Sequence, residues 1–462
     1  MVLAHRLKKL NSIQRIAMIT EFSTQVDQYI GRLNPTPLEP SGRLLRVVGM
    51  TVEVSGVAAP VGAKCRISTA SNNGFIEAEV VGFNDDVLFL MPYGSIEGVA
   101  PGARVTVVNR FPMVNVSRDM LGRVVNAQGE PIDGLGQIKS SESCGLFGFP
   151  INPMERGPVE HALDTGIKAI NCCLTLGQGQ RIGLVAGSGV GKSVLLAMLA
   201  RNTAADVVVI GLVGERGREV QEFVSTTLGE AGLRKSIVVA SPTYDPPVAR
   251  LKAAHLAHVI AEYFRDRGKR VLLLFDSLTR VAHAQREIGL AVGEPPTAKG
   301  YPPSVFALLP SLIERAGVGA HGHGSITAIY TLLAEGDDRA DPIVDIARAS
   351  LDGQVMLSRD LADAAHYPSI DLNGSISRIM DNLVDKEQMN LANRLRRYWS
   401  LYRQNIDLIQ VGAYEAGTNT ELDEAIELIG NITEFLRQES EDNFSFEDCW
   451  KGLKVCIGGT ER

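Results

Sequence analysis

A chain of 462 residues with 45% hydrophobic and 21% charged side chains has material for two or three domains and a sizeable core, which excludes a disordered or fibrous protein. The formal charge of −7 argues against a surface built as a whole to grip nucleic acid. Six cysteines without a CxxC pair suggest neither a zinc site nor a disulfide framework, no apolar run approaches the roughly eighteen residues of a membrane span, and the first residues lack the apolar core of a signal peptide, so a cytoplasmic protein with reduced thiols is expected.

In chain order, residues 1–41 place Leu3, Leu7, Leu10 and Ile13 at helical spacing among Arg6, Lys8, Lys9 and Arg15. This amphipathic, basic segment reads either as a helix covering the body of the protein or as a docking element for a partner or an acidic lipid surface. Asn34-Pro-Thr-Pro-Leu-Glu-Pro40 follows as a linker. Residues 42–109 hold short β-like runs between Gly, Asn-Asp-Asp and Pro-Gly turns, and predict a small β-barrel. Over 110–380, the apolar runs RIGLVAG, VVVIGLVG, SIVVASP, VLLLFDS and SITAIYTLL alternate with the helix-like stretches EVQEFVSTTL and PVARLKAAHLAHVIAEYFRDRG. Strands apolar on both faces between helices predict an α/β, doubly wound parallel sheet. Residues 381–462 keep helical periodicity only and predict a helical C-terminal domain.

The stretch Gly187-Ser-Gly-Val-Gly-Lys-Ser193 lies between a strand-like run and a helix-like one. Gly187, Gly189 and Gly191, with Ser188 and Val190 between them, form a cradle of backbone N–H groups for an anion. Lys192 reaches the terminal phosphates, Ser193 suits Mg²⁺, and the helix points its positive end at the ligand. Ala186 departs from the strict pattern, which has glycine there. Asp276 ends the run Val271–Phe275 at the carboxyl edge of the sheet, where it either holds Mg²⁺ or its waters, or merely caps the next helix. Glu215 ends another run and is the carboxylate that orients an attacking water, with Arg216 or Arg218 meeting phosphate charge and Glu219 binding a metal water; the alternative is an ion-paired turn. His321-Gly-His323 lacks ligand partners at metal spacing and reads as a Gly-flanked loop.

AGSGVGKS, GLVGERGREV, VLLLFDSLTR, AQREIGLAVGEPPTAKGYPPSVFALLPSLIERAG and HYPSIDLNGSISR together resemble the flagellum-specific ATP synthases, the ATPases of the flagellar type III protein-export apparatus, over almost the whole chain. These are related to the catalytic subunits of rotary ATP synthases. The resemblance implies a RecA-like P-loop core that hydrolyses ATP with Mg²⁺. Lys192 and Ser193 would bind phosphate and Mg²⁺, Glu215 would be the catalytic carboxylate, Asp276 would lie on the Mg²⁺ side, and Arg216 and Arg280 would line the phosphate pocket. Tyr367 would pack on adenine, and Arg378 would be inserted into a neighbouring subunit's site. A second base-stacking residue, near Ile409 and Tyr414, stays unassigned.

The implied partners are further copies in a hexameric ring, a regulator dimer at the N-terminus, a central stalk, the export gate, and export substrates with their chaperones. Nucleic acid is not expected, and the implied place is cytoplasmic and peripheral at the inner-membrane gate. The competing readings are a virulence type III secretion ATPase, a rotary catalytic subunit, a noncatalytic ring subunit, which would have glutamine in place of Glu215, and an RNA-translocating hexamer, which would need a more basic barrel.

Overall fold

The computed structural model describes residues 40–70, 74–139, 142–148, 151–320, 324–333 and 341–458. The amphipathic N-terminal segment and the His321/His323 pair lie outside them. Six antiparallel strands, β1 (Ser41–Val48), β2 (Thr51–Ser55), β3 (Lys64–Ser68), β4 (Phe75–Asn84), β5 (Val87–Pro92) and β6 (Arg104–Asn109), close into a barrel in the order β1-β2-β5-β4-β3-β6. The two-residue alternation of strands sends Val52, Val54, Cys65, Ile67, Ala78, Val80, Leu88 and Leu90 inward as its core.

Next come β7 (Met113–Val116), β8 (Val124–Val125) and β9 (Glu142–Gly145), in which β7 and β9 pair as a separate ribbon. Another short pair is formed by β10 (Ala162–Leu163) and β11 (Leu176–Gly177). The main sheet contains β12 (Arg181–Ala186), β13 (Val207–Val213), β14 (Ser236–Ser241), β15 (Arg270–Asp276), β16 (Gly317–Val318), β17 (Ser325–Leu333), β18 (Gly353–Leu357) and β19 (Ile370–Ser377). Its order is β19-β18-β12-β17-β15-β13-β14-β8, with β16 added beside β17. The strands from β18 to β8 run parallel; β19 and β16 are antiparallel to their neighbours.

All seven residues of β13 are buried, because helices cover both faces of the sheet. One face packs the helix Lys192–Asn202 and the C-terminal helices Lys386–Gln410, Thr420–Leu436 and Phe446–Gly458; the other packs Pro247–Arg265, Leu278–Ala291 and Pro303–Ile313. The five apolar runs read from the sequence fall on β12, β13, β14, β15 and β17, to within a residue at their ends. The run Glu219–Leu228, read as one helix, is α-helical to Glu222 and then a π-helical turn over Phe223–Leu228. Among the described residues, no helix is long and apolar enough to cross a membrane.

Candidate functional site

The carboxyl edges of neighbouring strands assemble the site. β12 delivers the phosphate loop, β15 ends in Asp276, and β13 leads through Gly214 to Glu215, with β17 lying between β12 and β15. Gly189 and Gly191 have φ of +77° and +87°, left-handed values that a side chain disfavours, and a Cβ on Gly191 would approach the Tyr367 ring at 3.4 Å. Ala186, the departure from the pattern, is the last residue of β12, 1% exposed and paired with Leu333. Its methyl belongs to the core rather than to the turn.

Lys192 donates to Asp276 Oδ1 at 2.6 Å and to Glu215 Oε1 at 3.4 Å. Asp276 Oδ1 also accepts the Thr331 hydroxyl at 2.6 Å. Asp276 does not cap the following helix; the Ser277 hydroxyl does, accepting Arg280 N at 3.3 Å. Burial opposes the Lys192 charge, yet Asp276 and Glu215 hold its pKa above the ordinary value. Burial raises the Glu215 pKa, as does the like charge of Asp276, against the attraction of Lys192. The turn holding Glu215 is fixed by Thr243, whose N–H donates to Glu215 O at 2.9 Å and whose hydroxyl donates to Gly214 O at 2.7 Å.

The ion pairs of the alternative reading are present in this segment beside an inward-turned Glu215. Arg216 pairs with Glu219 at 3.3 Å and Arg218 with Glu222 at 3.3 Å, both arginines exposed, while Glu215 turns inward to Lys192. Arg280 packs against Gly214, and its buried Nε has no partner among the described residues, which suits an anionic ligand. Ser193, in the first turn of its helix, likewise has no partner for its hydroxyl among the described residues. No cluster of three acidic, His or Cys side chains that could hold a cation occurs among the described residues. The donor set of Ser193 and Asp276 therefore fits Mg²⁺ held largely by substrate phosphates and water.

Beside the loop is a cavity of about 390 Å³. Tyr367, 45% exposed, lines it together with Val190, Gly191 and Val194, and the opposite wall is Arg437–Ser440. This wall is held by Gln438, whose N–H donates to Tyr367 O at 2.9 Å and whose side chain joins Lys168 N at 3.0 Å and Gly166 O at 2.8 Å. Ile409 and Tyr414 do not line the cavity; the Tyr414 hydroxyl is engaged by Asp423. Arg378 leaves β19 beside the start of β18, at the sheet edge opposite the phosphate loop, and donates to Leu351 O at 3.1 Å and Arg348 O at 3.3 Å.

The models of the ATP synthase alpha/beta family match the nucleotide-binding domain over residues 166–377 and the β-barrel domain over 44–108, and the T3SS EscN ATPase C-terminal domain matches 384–455. The Pseudomonas aeruginosa flagellum-specific ATP synthase is 50% identical over 446 residues, covering 95% of this chain and 98% of the relative. A type 3 secretion system ATPase of Xanthomonas euvesicatoria is 46% identical over 88% of this chain and 92% of the relative. The assembled ATPase EscN of the enteropathogenic E. coli type III secretion system superimposes with a TM-score of 0.84 at 38% identity, covering 90% of this chain and 100% of that one, and EscN is also known in complex with its central stalk EscO. A P-loop between β12 and its helix, two carboxylates on the P-loop lysine and identity along nearly the whole of both chains make this protein a member of the flagellum-specific ATP synthase family.

Proposed function

We propose that this chain is the ATPase of a flagellar type III protein-export apparatus, hydrolysing ATP to deliver and unfold export substrates at the export gate. The observation that carries the reading is the meeting of Lys192, Glu215 and Asp276 at the phosphate loop of a chain half identical to a flagellum-specific ATP synthase. Mg²⁺, when bound with ATP, supplies charge neutralisation on the phosphates; Ser193 and Asp276 would hold it, with Glu219 acting through water.

The glycine loop and Lys192 bind the phosphates. Glu215 accepts a hydrogen bond from the attacking water and orients it toward the terminal phosphorus. Arg216 and Arg280 meet the charge on the phosphate oxygens, and Tyr367 and the Arg437–Ser440 wall enclose the base. The chain works as a homo-oligomeric ring, six-membered by resemblance, around a central stalk. A regulator dimer binds the N-terminal segment, chaperoned substrates arrive from the cytoplasm, and the ring sits peripherally at the inner membrane.

Steady-state hydrolysis by the purified chain tests the chemistry. Glu215→Gln should bind MgATP while turnover falls by about two orders of magnitude or more; wild-type turnover in the variant would remove Glu215 from the mechanism. Deleting the gene tests the biology: loss of flagella with cellular ATP synthesis intact is expected, and the reverse outcome would identify a rotary subunit. Loss of protein secretion into host cells with flagella intact would identify a virulence ATPase, the reading favoured by the 46% identity to the Xanthomonas relative.

A further inference from the structure

We infer that Arg359 and Ser369 are positioning residues that fix the direction of two peptide units in the phosphate loop and thereby set its affinity for a nucleotide's phosphates, an inference that rests on the ATP-hydrolysing reading above. The Arg359 guanidinium donates through Nη2 to Ser188 O at 2.7 Å, and the buried Ser369 hydroxyl donates to Val190 O at 2.6 Å. The only cis peptides among the described residues are Asp276-Ser277 and Tyr367-Pro368, so the 188–189 and 190–191 units are trans. In a trans unit the N–H points opposite to the C=O. Holding the carbonyls of Ser188 and Val190 therefore turns the N–H groups of Gly189 and Gly191 the other way. Among the described residues neither of these N–H groups has an acceptor, which leaves both for an anion.

Both clamps come from one short excursion between β18 and β19. Ser358 N donates to Ser369 O at 2.8 Å, and the Leu357 pairing with Ile370 continues the closure, so the two clamps have a common base. They approach from the β18 side of the loop, whereas the partners of Lys192 come from β13 and β15 on the other side. Both loop glycines have positive φ, a region glycine enters freely, and without clamps these peptide units would have other orientations open to them. Arg359 has no carboxylate partner among the described residues; its contact with the loop is therefore not a by-product of an ion pair elsewhere.

The test is a titration of the purified full-length chain with fluorescently labelled MgADP, with melting in the absence of nucleotide as the check on folding. Arg359 is exposed, so Arg359→Ala should melt like the wild type. Arg359→Ala and Ser369→Ala should each raise the dissociation constant by about three- to thirtyfold, the scale of one positioning hydrogen bond. Arg359→Lys, which keeps a donor at the end of a long side chain, should recover part of the loss. In hydrolysis assays the KM for ATP should rise by a similar factor with kcat much less changed, as for a group that acts on binding.

Unchanged affinity in Arg359→Ala would overturn the inference. A loss in Arg359→Ala beside normal affinity in Ser369→Ala would overturn it as well, because a charge acting directly on the phosphates would then explain the arginine. Failure of the wild-type chain to bind MgADP would instead refute the ATP-hydrolysing reading itself.

Discussion

Burial and the like charge of Asp276 raise the Glu215 carboxyl above its ordinary value of 4.5, and the attraction of Lys192 only partly offsets them. A carboxyl whose pKa is raised by folding adds stability while it is protonated, and loses that contribution as pH rises through the folded pKa. At neutral pH the ionised Glu215 is thus a burden on the fold, of the kind active sites accept in return for reactivity. Glu215→Gln, which imitates the protonated form, should melt above the wild type at pH 8, and the gain should vanish as pH falls to about 4.5 and below. A gain that is constant with pH would locate the effect elsewhere than in this ionisation. Tyr367 offers a second test at the same scale. Its ring is 45% exposed and lines the cavity beside the phosphate loop, so stacking on a base is its proposed use. Tyr367→Ala should weaken MgADP binding by about 1–3 kcal/mol, the usual scale of base stacking on an aromatic ring, while Tyr367→Phe keeps the face of the ring and should bind normally. Equal binding by the alanine variant, measured by calorimetry, would return the tyrosine to a structural role.

Among the elements, the helix Pro247–Arg265 carries an unexpected polar stripe through an otherwise apolar face. His255, His258 and Glu262 recur at helical spacing and all are buried. Arg315 clasps Glu262 with two bonds of 2.8 and 2.7 Å and touches His255 Nδ1 at 3.1 Å, while His258 Nε2 meets the Tyr330 hydroxyl at 3.0 Å. Burial and the Arg315 charge push the His255 pKa down to about 3, so that ring is neutral and the arginine has one carboxylate to itself. Arg315→Met should cost about 3–5 kcal/mol in chemical denaturation, because it strands the buried Glu262 charge, and adding Glu262→Gln should recover much of that loss. If the single variant is as stable as the wild type, the pair contributes nothing to this helix's docking. The same helix shows what the sequence made legible: its apolar residues, like the five long strand runs and the glycine loop, are local patterns of period or spacing. β19 escaped because its buried residues are interrupted by Asp, Asn and Gly, as in Ile370-Asp-Leu-Asn-Gly374, and β18 because its apolar run is only Val355-Met-Leu357. Lys192 was found by the glycine spacing that precedes it, and Glu215 and Asp276 because each follows or ends a strand-like run. Arg359, Ser369 and the Arg437–Ser440 wall carry no such mark: Arg359 meets Ser188 across 171 residues of chain, and Gln438 meets Lys168 across 270. Only the folded arrangement joins them.

At the scale of the whole molecule, the position of Arg378 bears on whether one chain is a complete unit for the proposed chemistry. β19 runs antiparallel to β18, so the Ser377 end lies beside Gly353, and β18 rises about 13 Å before its far end reaches the level of the phosphate loop. The guanidinium is also tied to the carbonyls of Leu351 and Arg348. An arginine held at that edge serves its own Lys192 site poorly, and the proposed use is donation to a neighbour's site. In the proposed cyclic ring, symmetry would give each site an arginine from the adjacent copy. Such an arginine meets charge that develops on the transferred phosphoryl group, so its loss falls on turnover more than on binding, typically by about 10³–10⁵ in rate. Arg378→Ala should accordingly bind MgATP, assemble under conditions that drive ring formation, and hydrolyse slowly. Mixing sharpens the test. A Lys192→Ala subunit lacks a working site of its own but keeps Arg378, so beside an Arg378→Ala subunit it completes that neighbour's pocket, and random mixing leaves about a quarter of interfaces whole in a cyclic ring. Recovery of activity on mixing two inactive variants is the expected sign of donation between subunits. Normal turnover by fully assembled Arg378→Ala rings, with assembly verified by ultracentrifugation, would leave this arginine as an anchor for the turn before β18 and nothing more.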